Sequence, residues 1–451
     1  FDHPTLAAFS AHVETCLPAD PGAPIESIRR VSRDETLPLS FAQERFWFLD
    51  QLSSGSSINN IPVALRLVGA LDVEALRRSL DEIIQRHEIL RACFALRNGR
   101  PSHIIVPQLI LALDIEDLRT SVEPDREAQI LRLAGEEACR PFDLANGPLI
   151  RGCLFRLDDM NHVLSLTLHH IVADGWSMDV LRRELASLYE AFKDGRPSPL
   201  PALPIQYVDL IAAQRERPKG AADRRLLEYW ANQLEGAPPL LNLPWDYPRP
   251  AIQGHRGARH PWTLEPELAR RLYEVGARYR ATPFMLLVSA LGLLLSRYSR
   301  QTDFCIGTPV ANRAGREAEQ LVGCFVNTVA LRMDVSGNPS LPALLDRVRV
   351  MVLGAQSHQD LSFERLVDEL GVVRDLGHTP LFQVMFVLED SPSDVRRFAD
   401  LEASRLNVGT GTSVFDLTLE MAQKTDGSLD AVFEYSTDLF AADTIARMAG
   451  H

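Results

Sequence analysis

The stretch "HVLSLTLHHIVADGWS", residues 162–177, alternates apolar and polar side chains, sets two histidines side by side, and closes on Asp174-Gly175. Side chains alternate across a strand, so Leu164, Leu166, Leu168 and His170 share one face while Ser165, Thr167 and His169 take the other. The two imidazoles therefore point opposite ways. One can reach a reaction centre; its neighbour is buried or hydrogen-bonded behind it. His170, as the last strand residue before the loop, stands where a site is easily built. A neutral imidazole there can take a proton from an amine or hydroxyl attacking a carbonyl, or simply orient that nucleophile. Gly175 lets a ligand or a neighbouring chain approach the backbone closely. A lone histidine at a strand end is more often a satisfied core residue than a base. The complete HHxxxDG pattern is more restrictive, arising by chance in on the order of one chain in a thousand of this length. It identifies no reaction by itself.

Working outward, "MDVLRRELASLYEAFKDG" is expected as an amphipathic helix ending at Gly195, with Ser177 suited to cap it. "IPVALRLVG" (61–69) reads as a strand, and Leu76, Leu80, Ile83 and Ile84 follow helical spacing after Asp72, a good N-cap. The proline-rich run "GRPSPLPALPIQY" cannot continue a helix. A second proline-rich zone covers 236–257, and a helical insert with "YVDLIAAQRE" and "LLEYWANQL" lies between the two. Beyond Gly257 the alternation resumes. "TPFMLLVSALGLLL" opens a helix at Thr-Pro, "DFCIGTPV", "NTVALRMDV", "FQVMFVLED" and "LDAVFEYS" read as strands, and "FERLVDEL" as a helix. Two similar-sized α/β lobes follow from this order.

At 451 residues the chain is too long for one ordinary core. Its 46% hydrophobic and 24% charged residues are those of a globular protein. A net charge of −13 and the lack of any basic block argue against nucleic acid as a partner. Cys16, Cys93, Cys139, Cys153, Cys305 and Cys324 form no CxxC pair, which argues against a zinc site or disulfide framework and for a reducing, cytoplasmic compartment. No metal site is expected. The first residues do not read as a signal peptide. "PFMLLVSALGLLLSRYSR" falls short of the roughly 18 apolar residues that span a bilayer, so a buried helix is expected and no membrane. The start without Met and the end at "RMAGH" suggest a piece of something longer.

Seven stretches now fall into one order: "LSFAQERFWFLDQL" (39–52), "RHEILRACF" (86–94), "LHHIVADGWS" (168–177), "YVDLIAAQR" (207–215), "VGCFVNTVALR" (322–332), "HQDLSFE" (358–364) and "RDLGHTPLFQVMF" (374–386). Together they resemble the condensation domain of nonribosomal peptide synthetases over about residues 35–451. The resemblance implies a chloramphenicol-acetyltransferase-like fold: two α/β lobes in a V-shaped pseudo-dimer with a central tunnel. It divides the chain into the tail of a preceding carrier domain (1–16), a linker (17–35), an N-terminal lobe (36–200), inter-lobe linker and helices (201–257) and a C-terminal lobe (258–451).

The implied reaction is attack of a carrier-bound acceptor aminoacyl amine on a carrier-bound, L-configured donor thioester. Both arrive on 4'-phosphopantetheine arms of upstream and downstream carrier domains, beside an adenylation domain; the domain itself binds no cofactor. His170 is implied as the tunnel imidazole, either base or positioner. His169 is implied to be structural. Asp174 is either a carboxylate orienting a base or half of an ion pair with Arg313, the latter favoured. Gly175 either offers its amide to the reacting carbonyl or acts conformationally. Arg91 resembles a site-supporting arginine, with a helix-end cation as its plain reading. Asn327 is expected to satisfy buried backbone groups, and Trp176 and Ser177 to line the tunnel. His358 has no evident partner. Epimerisation, a dehydrating tailoring reaction and a non-catalytic docking module remain as alternatives. The intact motif disfavours the last.

Overall fold

A computed structural model describes residues 28–52, 55–119, 126–216, 220–313, 315–389 and 397–451. The expected carrier tail (1–16) and the larger part of the linker (17–35) lie outside the described residues.

The N-terminal half runs β1 (Leu37–Pro38), α1 (Phe41–Leu52), β2 (Asn60–Val68), α2 (Val73–Arg86), β3 (Ala92–Arg97), β4 (Arg100–Ile105), β5 (Leu113–Asp117), α3 (Arg126–Ala138), β6 (Ile150–Arg156), β7 (Asn161–His169) and α4 (Gly175–Lys193). The bridge carries α5 (Tyr207–Glu216) and α6 (Ala221–Leu234). The C-terminal half runs β8 (Gly257–Leu264), α7 (Pro266–Arg278), α8 (Pro283–Ser299), β9 (Asp303–Val310), α9 (Arg316–Glu319), β10 (Asn327–Asp334), α10 (Leu341–Ser357), α11 (Phe363–Glu369), β11 (Val384–Glu389), β12 (Arg397–Phe398), β13 (Leu401–Leu406), β14 (Leu417–Gln423), β15 (Leu429–Ser436) and α12 (Ala442–Gly450). Local signals act as expected. Asp72 accepts from Ala75 N–H at 2.9 Å to start α2, and Thr282 from Met285 N–H at 3.2 Å to start α8. Helix α8 is largely buried, and among the described residues no single helix is long and apolar enough to cross a membrane.

Each half is built on a six-stranded sheet, one ordered β12-β13-β2-β7-β6-β5 and the other β10-β9-β11-β14-β15-β8. The leucines of β7 enter the N-terminal core, while Val163 on the opposite face packs with Ile130 and Ala134 of α3. With both faces covered, β7 is buried along nearly its whole length.

Part of residues 258–451 joins the N-terminal sheet: β13 crosses over and pairs antiparallel with β2, from Glu402 beside Val68 to Leu406 beside Ala64. An edge strand offers a row of unpaired N–H and C=O groups, and the crossover satisfies that row. Phe398, Leu401 and Ala403 join the N-terminal core with it, as do Ala318, Leu321, Val322 and Phe325. The bridge divides as well: Leu203–Ile211 contributes to the N-terminal core, whereas Trp230, Leu234, Leu241 and Leu243 belong to the C-terminal one. Strand periodicity marks where strands lie and is silent about which sheet receives them.

Tyr207 closes the seam between the halves. It is fully buried, its hydroxyl donates to the Cys324 carbonyl at 2.7 Å, and its ring lies against Gly323, where an added Cβ would fall 2.1 Å from the ring.

Candidate active site

Strand β7 ends at His169, one residue earlier than its alternation suggests, but the His170 N–H still donates to the Asn59 carbonyl at 2.8 Å. The imidazole is thereby carried on a paired backbone. The chain then turns, with Val172 N–H on the His169 carbonyl at 3.0 Å. Two side chains satisfy the backbone of Ile171 in this turn. Its N–H donates to His169 Nδ1 at 3.1 Å, and its carbonyl accepts from Gln43 Nε2 at 2.8 Å. Gln43 is held for this by a reciprocal N-terminal box with Ser40: Gln43 N–H donates to Ser40 Oγ at 3.1 Å and Ser40 N–H to Gln43 Oε1 at 3.0 Å.

His169 is buried, and its Nδ1 accepts a hydrogen bond, so the neutral ring carries its proton on Nε2. Burial pushes its pKa down to about 3, with the neighbouring His170 adding to the shift. His170 is half-buried. Phe46 of α1 stacks on its ring with centroids 4.9 Å apart and planes at 22°, and meets the His169 ring edge-on at 6.4 Å. Among the described residues His170 Nδ1 is buried without a hydrogen-bond partner. Burial holds the His170 pKa below that of free imidazole; the Asp174 carboxylate and the nearby backbone of His170 and Ala173 oppose this shift, and the Arg45 cation adds to it. Burial thus favours the neutral imidazole. Arg45 itself pairs with Glu364 of α11 at 3.5 Å, so the "SFAQERF" and "HQDLSFE" stretches meet across the halves.

Asp174 does not hydrogen-bond to His170. It caps α4: Oδ1 accepts from Ser177 N–H at 2.8 Å and Ser177 Oγ–H at 2.7 Å, and Oδ2 accepts from Phe325 N–H at 2.9 Å. Arg313 Nη2 completes the set at 2.8 Å. The guanidinium also donates to the Ala318 and Leu321 carbonyls at 2.7 and 2.6 Å and lies 4.0 Å over the Phe325 ring. Both side chains are essentially excluded from solvent, at 2% and 3% exposure.

Ser177, expected along the tunnel, is instead fully buried in this knot. Its Oγ sits 2.9 Å from the Gly323 carbonyl and accepts from Gly323 N–H at 3.1 Å and from Arg313 at 3.0 Å. No capacity remains for a substrate. It also does not cap the helix, because Asp174 does and α4 begins three residues earlier than its charged pattern suggests. Trp176 is 40% exposed with its indole N–H on the Glu319 carbonyl at 3.1 Å.

Gly175 has no left-handed backbone, so the turn does not require glycine there. An added Cβ would meet nothing within 4 Å. Alanine is therefore expected to leave the melting temperature unchanged or slightly raised, since it is the better helix former by about 1 kcal/mol. If a substrate arm passes over this amide, the same variant loses turnover. Melting and transfer rate measured on one preparation separate the two roles, and full turnover in Gly175→Ala removes Gly175 from the site.

Arg91 turns away from the site. It donates to the carbonyls of Ile84 at 3.1 Å, Gln85 at 3.3 Å, Pro107 at 3.2 Å and Val106, clamping the end of α2 onto the loop after β4. Asn327 satisfies four backbone groups: its amide donates to Gln359 and Leu361 carbonyls at 2.7 Å each, and its oxygen accepts from Thr328 and Phe363 N–H at 2.9 and 3.0 Å. His358, without an evident partner in the sequence, stacks on Tyr229 at 3.8 Å and places Nδ1 2.8 Å from the Gly354 carbonyl.

His87 Nε2 lies 2.9 Å from Glu184. Burial lowers the pKa of His87, His103 (to about 4), His162, His169 (to about 3) and His170. These groups are neutral when folded and bind protons once unfolded, so the stability they contribute is present above the ordinary histidine pKa of about 6.5 and is lost as pH falls toward their folded values. Each costs at most ~1.4 kcal/mol per pH unit in that window. Denaturant midpoints should fall steadily from pH 6.5 to 4, and His169→Gln should flatten the slope; a midpoint flat across this range contradicts the account.

Among the described residues no cluster of histidine, cysteine, aspartate or glutamate is arranged to hold a metal ion. What the geometry defines is an imidazole presented at a strand end between two α/β halves, braced by a buried carboxylate–guanidinium pair. The condensation-domain family model matches residues 33–451, and the chain belongs to that family. It is 48% identical over 453 residues to one of the linear gramicidin synthase proteins of Brevibacillus parabrevis, covering 100% of this chain and 6% of that protein. Among solved structures it resembles the X-domain in complex with OxyB from teicoplanin biosynthesis, with 30% identity, a TM-score of 0.81 and coverage of 95% of this chain and 94% of that one. The first condensation domain of the calcium-dependent antibiotic synthetase shares the fold at 21% identity and a TM-score of 0.79, covering 92% of this chain and 94% of that one. Members of this family are acyltransferases that form amide bonds and work with carrier and adenylation domains in multidomain synthetases. The chain spans a small fraction of such a synthetase.

Proposed function

We propose that this domain joins an acceptor aminoacyl group to an L-configured aminoacyl or peptidyl donor, each held as a thioester on the phosphopantetheine arm of a carrier domain. The acceptor amine nitrogen attacks the thioester carbon, and the C–S bond breaks as the amide forms. His170 Nε2 takes the proton that the nitrogen sheds, and the departing sulfur leaves as a thiolate that is then protonated. A thioester is already activated, so holding the two arms together supplies much of the rate. The observation that carries the reading is the half-buried His170, whose burial favours the neutral ring, within a complete HHxxxDG turn. Asp174 and Arg313 act as a brace for that turn and not as a relay, because every carboxylate contact is spent elsewhere. The reading divides the chain into lobes of 36–200 and 258–451 joined through 201–257, with the crossover strand exchanged between them. It also carries the preceding carrier tail, an adjacent adenylation domain and the cytoplasm.

A second reading has one observation behind it: the similar X-domain was solved in complex with OxyB, so a fold of this kind can serve for docking. A transfer assay between two loaded carriers separates the alternatives. A product of summed mass with the donor configuration kept supports condensation. Inversion of a single bound residue without bond formation indicates epimerisation, loss of water indicates a tailoring reaction, and binding without any product indicates docking.

A further inference from the structure

An imidazole that acts on a substrate through Nε2 must be held in one rotamer, and the usual device is a hydrogen bond from Nδ1 to a carboxylate or carbonyl. That device is weak here: the backbone of His170 and Ala173 lies close to the ring, yet without hydrogen-bond geometry to Nδ1. Nδ1 of His170 has no partner among the described residues, and the nearest carboxylate in sequence, Asp174, is committed to Ser177, Phe325 and Arg313. What does touch the ring is Phe46, near-parallel at 22° and 4.9 Å. The same phenyl meets His169 at 83°, so one side chain fits into the corner between the two imidazoles. Helix α1 cannot slide away from that corner. Gln43 ties its first turn to the Ile171 carbonyl, and Arg45 ties its middle to Glu364 of α11.

We propose that Phe46 is the positioning residue for His170, fixing the plane of the reacting imidazole by stacking where other enzymes use a hydrogen bond. Offset aromatic stacking adds an orientation-dependent attraction to plain burial and so favours one rotamer over the alternatives. Phe46 touches no substrate in this account and acts through the histidine. The proposal rests on His170 being the imidazole that serves the reaction. It adds a role to the "SFAQERF" stretch that packing alone does not require.

The test uses Phe46→Ala and Phe46→Tyr in the complete domain with loaded carriers, alongside His170→Ala. A misplaced catalytic group costs up to ~100-fold, so Phe46→Ala should lower kcat by about 10–100-fold with little change in KM, and Phe46→Tyr should recover most of the loss. The titratable and charged groups that bear on His170 are Asp174, Arg45 with its Glu364 partner, and His169. None is altered in these variants, so any movement of the acid limb of the rate profile reports the uncovered ring face. Loss of Phe46 should move that limb upward toward ordinary imidazole.

Independently of turnover, the ring protons of His170 should show an upfield displacement from the Phe46 face by NMR of histidine-labelled protein. That displacement should vanish in Phe46→Ala. Unchanged kcat in Phe46→Ala overturns the proposal, as does an activity loss that merely follows a lowered melting temperature and that tyrosine does not restore. Full turnover in His170→Ala defeats the functional reading instead, while the NMR signature still reports whether the stack exists.

Discussion

Replacing His170 by alanine should lower carrier-to-carrier peptide formation by ~10²-fold or more, the range seen when a positioned acid–base group is removed. The fold should survive, because the ring is half-buried and its described close partner is the Phe46 face. Residual turnover is expected from thioester activation and from bringing two arms together. Glutamine at this position distinguishes the two things an imidazole can do. Its amide can hold an amine by a hydrogen bond but cannot take a proton at neutral pH. If His170→Gln restores most of the rate, the histidine positions the nucleophile; if the rate stays as low as in alanine, proton removal is the larger part. The wild-type pH profile adds a sign. Burial lowers the pKa of the ring, so activity holds above that value and falls as pH drops through it, at a pH below that of free imidazole. Full peptide formation by His170→Ala with both carriers loaded would remove this residue from the mechanism.

The fold class was legible because its signals are local. Alternation in β7, the Asp72 and Thr282 caps and the proline-rich bridge each depend on a few neighbouring residues. The site was legible in part. Asp174 and Arg313 stand 139 positions apart, and only the family resemblance joined them; at 2.8 Å they are in contact. Ser177 was misplaced because a small hydroxyl after a loop looks like a cap or a tunnel lining, and nothing local tells that Gly323 and Arg313 will consume its bonding capacity. The roles of Phe46 and Gln43 are hidden for a similar reason. A Ser-x-x-Gln box at 40–43 was a readable sign that α1 begins there, but that Phe46 further along the helix would face His170 is a matter of tertiary packing. The crossover of β13 is the extreme case, since its partner strand lies in the other half of the chain.

Breaking the Asp174–Arg313 pair should have the largest effect on stability. Removing one partner of a buried pair strands the other, at about 3–5 kcal/mol. Arg313→Ala leaves the Asp174 carboxylate facing Ser177 and Phe325 alone and frees the Ala318 and Leu321 carbonyls. Asp174→Asn is the sharper experiment, because it keeps size and removes charge. The asparagine amide oxygen can still accept from Ser177 or Phe325, but its NH₂ must then face the Arg313 N–H groups or a second backbone N–H, donor against donor. A relay carboxylate would behave differently: activity would vanish while the denaturation midpoint stayed put. A brace predicts the reverse order, with the midpoint falling first and activity per folded molecule falling less than in His170→Ala. Replacing both partners by apolar residues of similar volume, Asp174→Leu with Arg313→Met, should recover part of the lost stability, since no buried charge is then left unpaired. Recovery in the double variant without recovery of activity would mean that the turn needs the pair for its shape; recovery of neither would mean that the contacts to Ser177, Gly323 and Phe325 carry the seam and the charges contribute little.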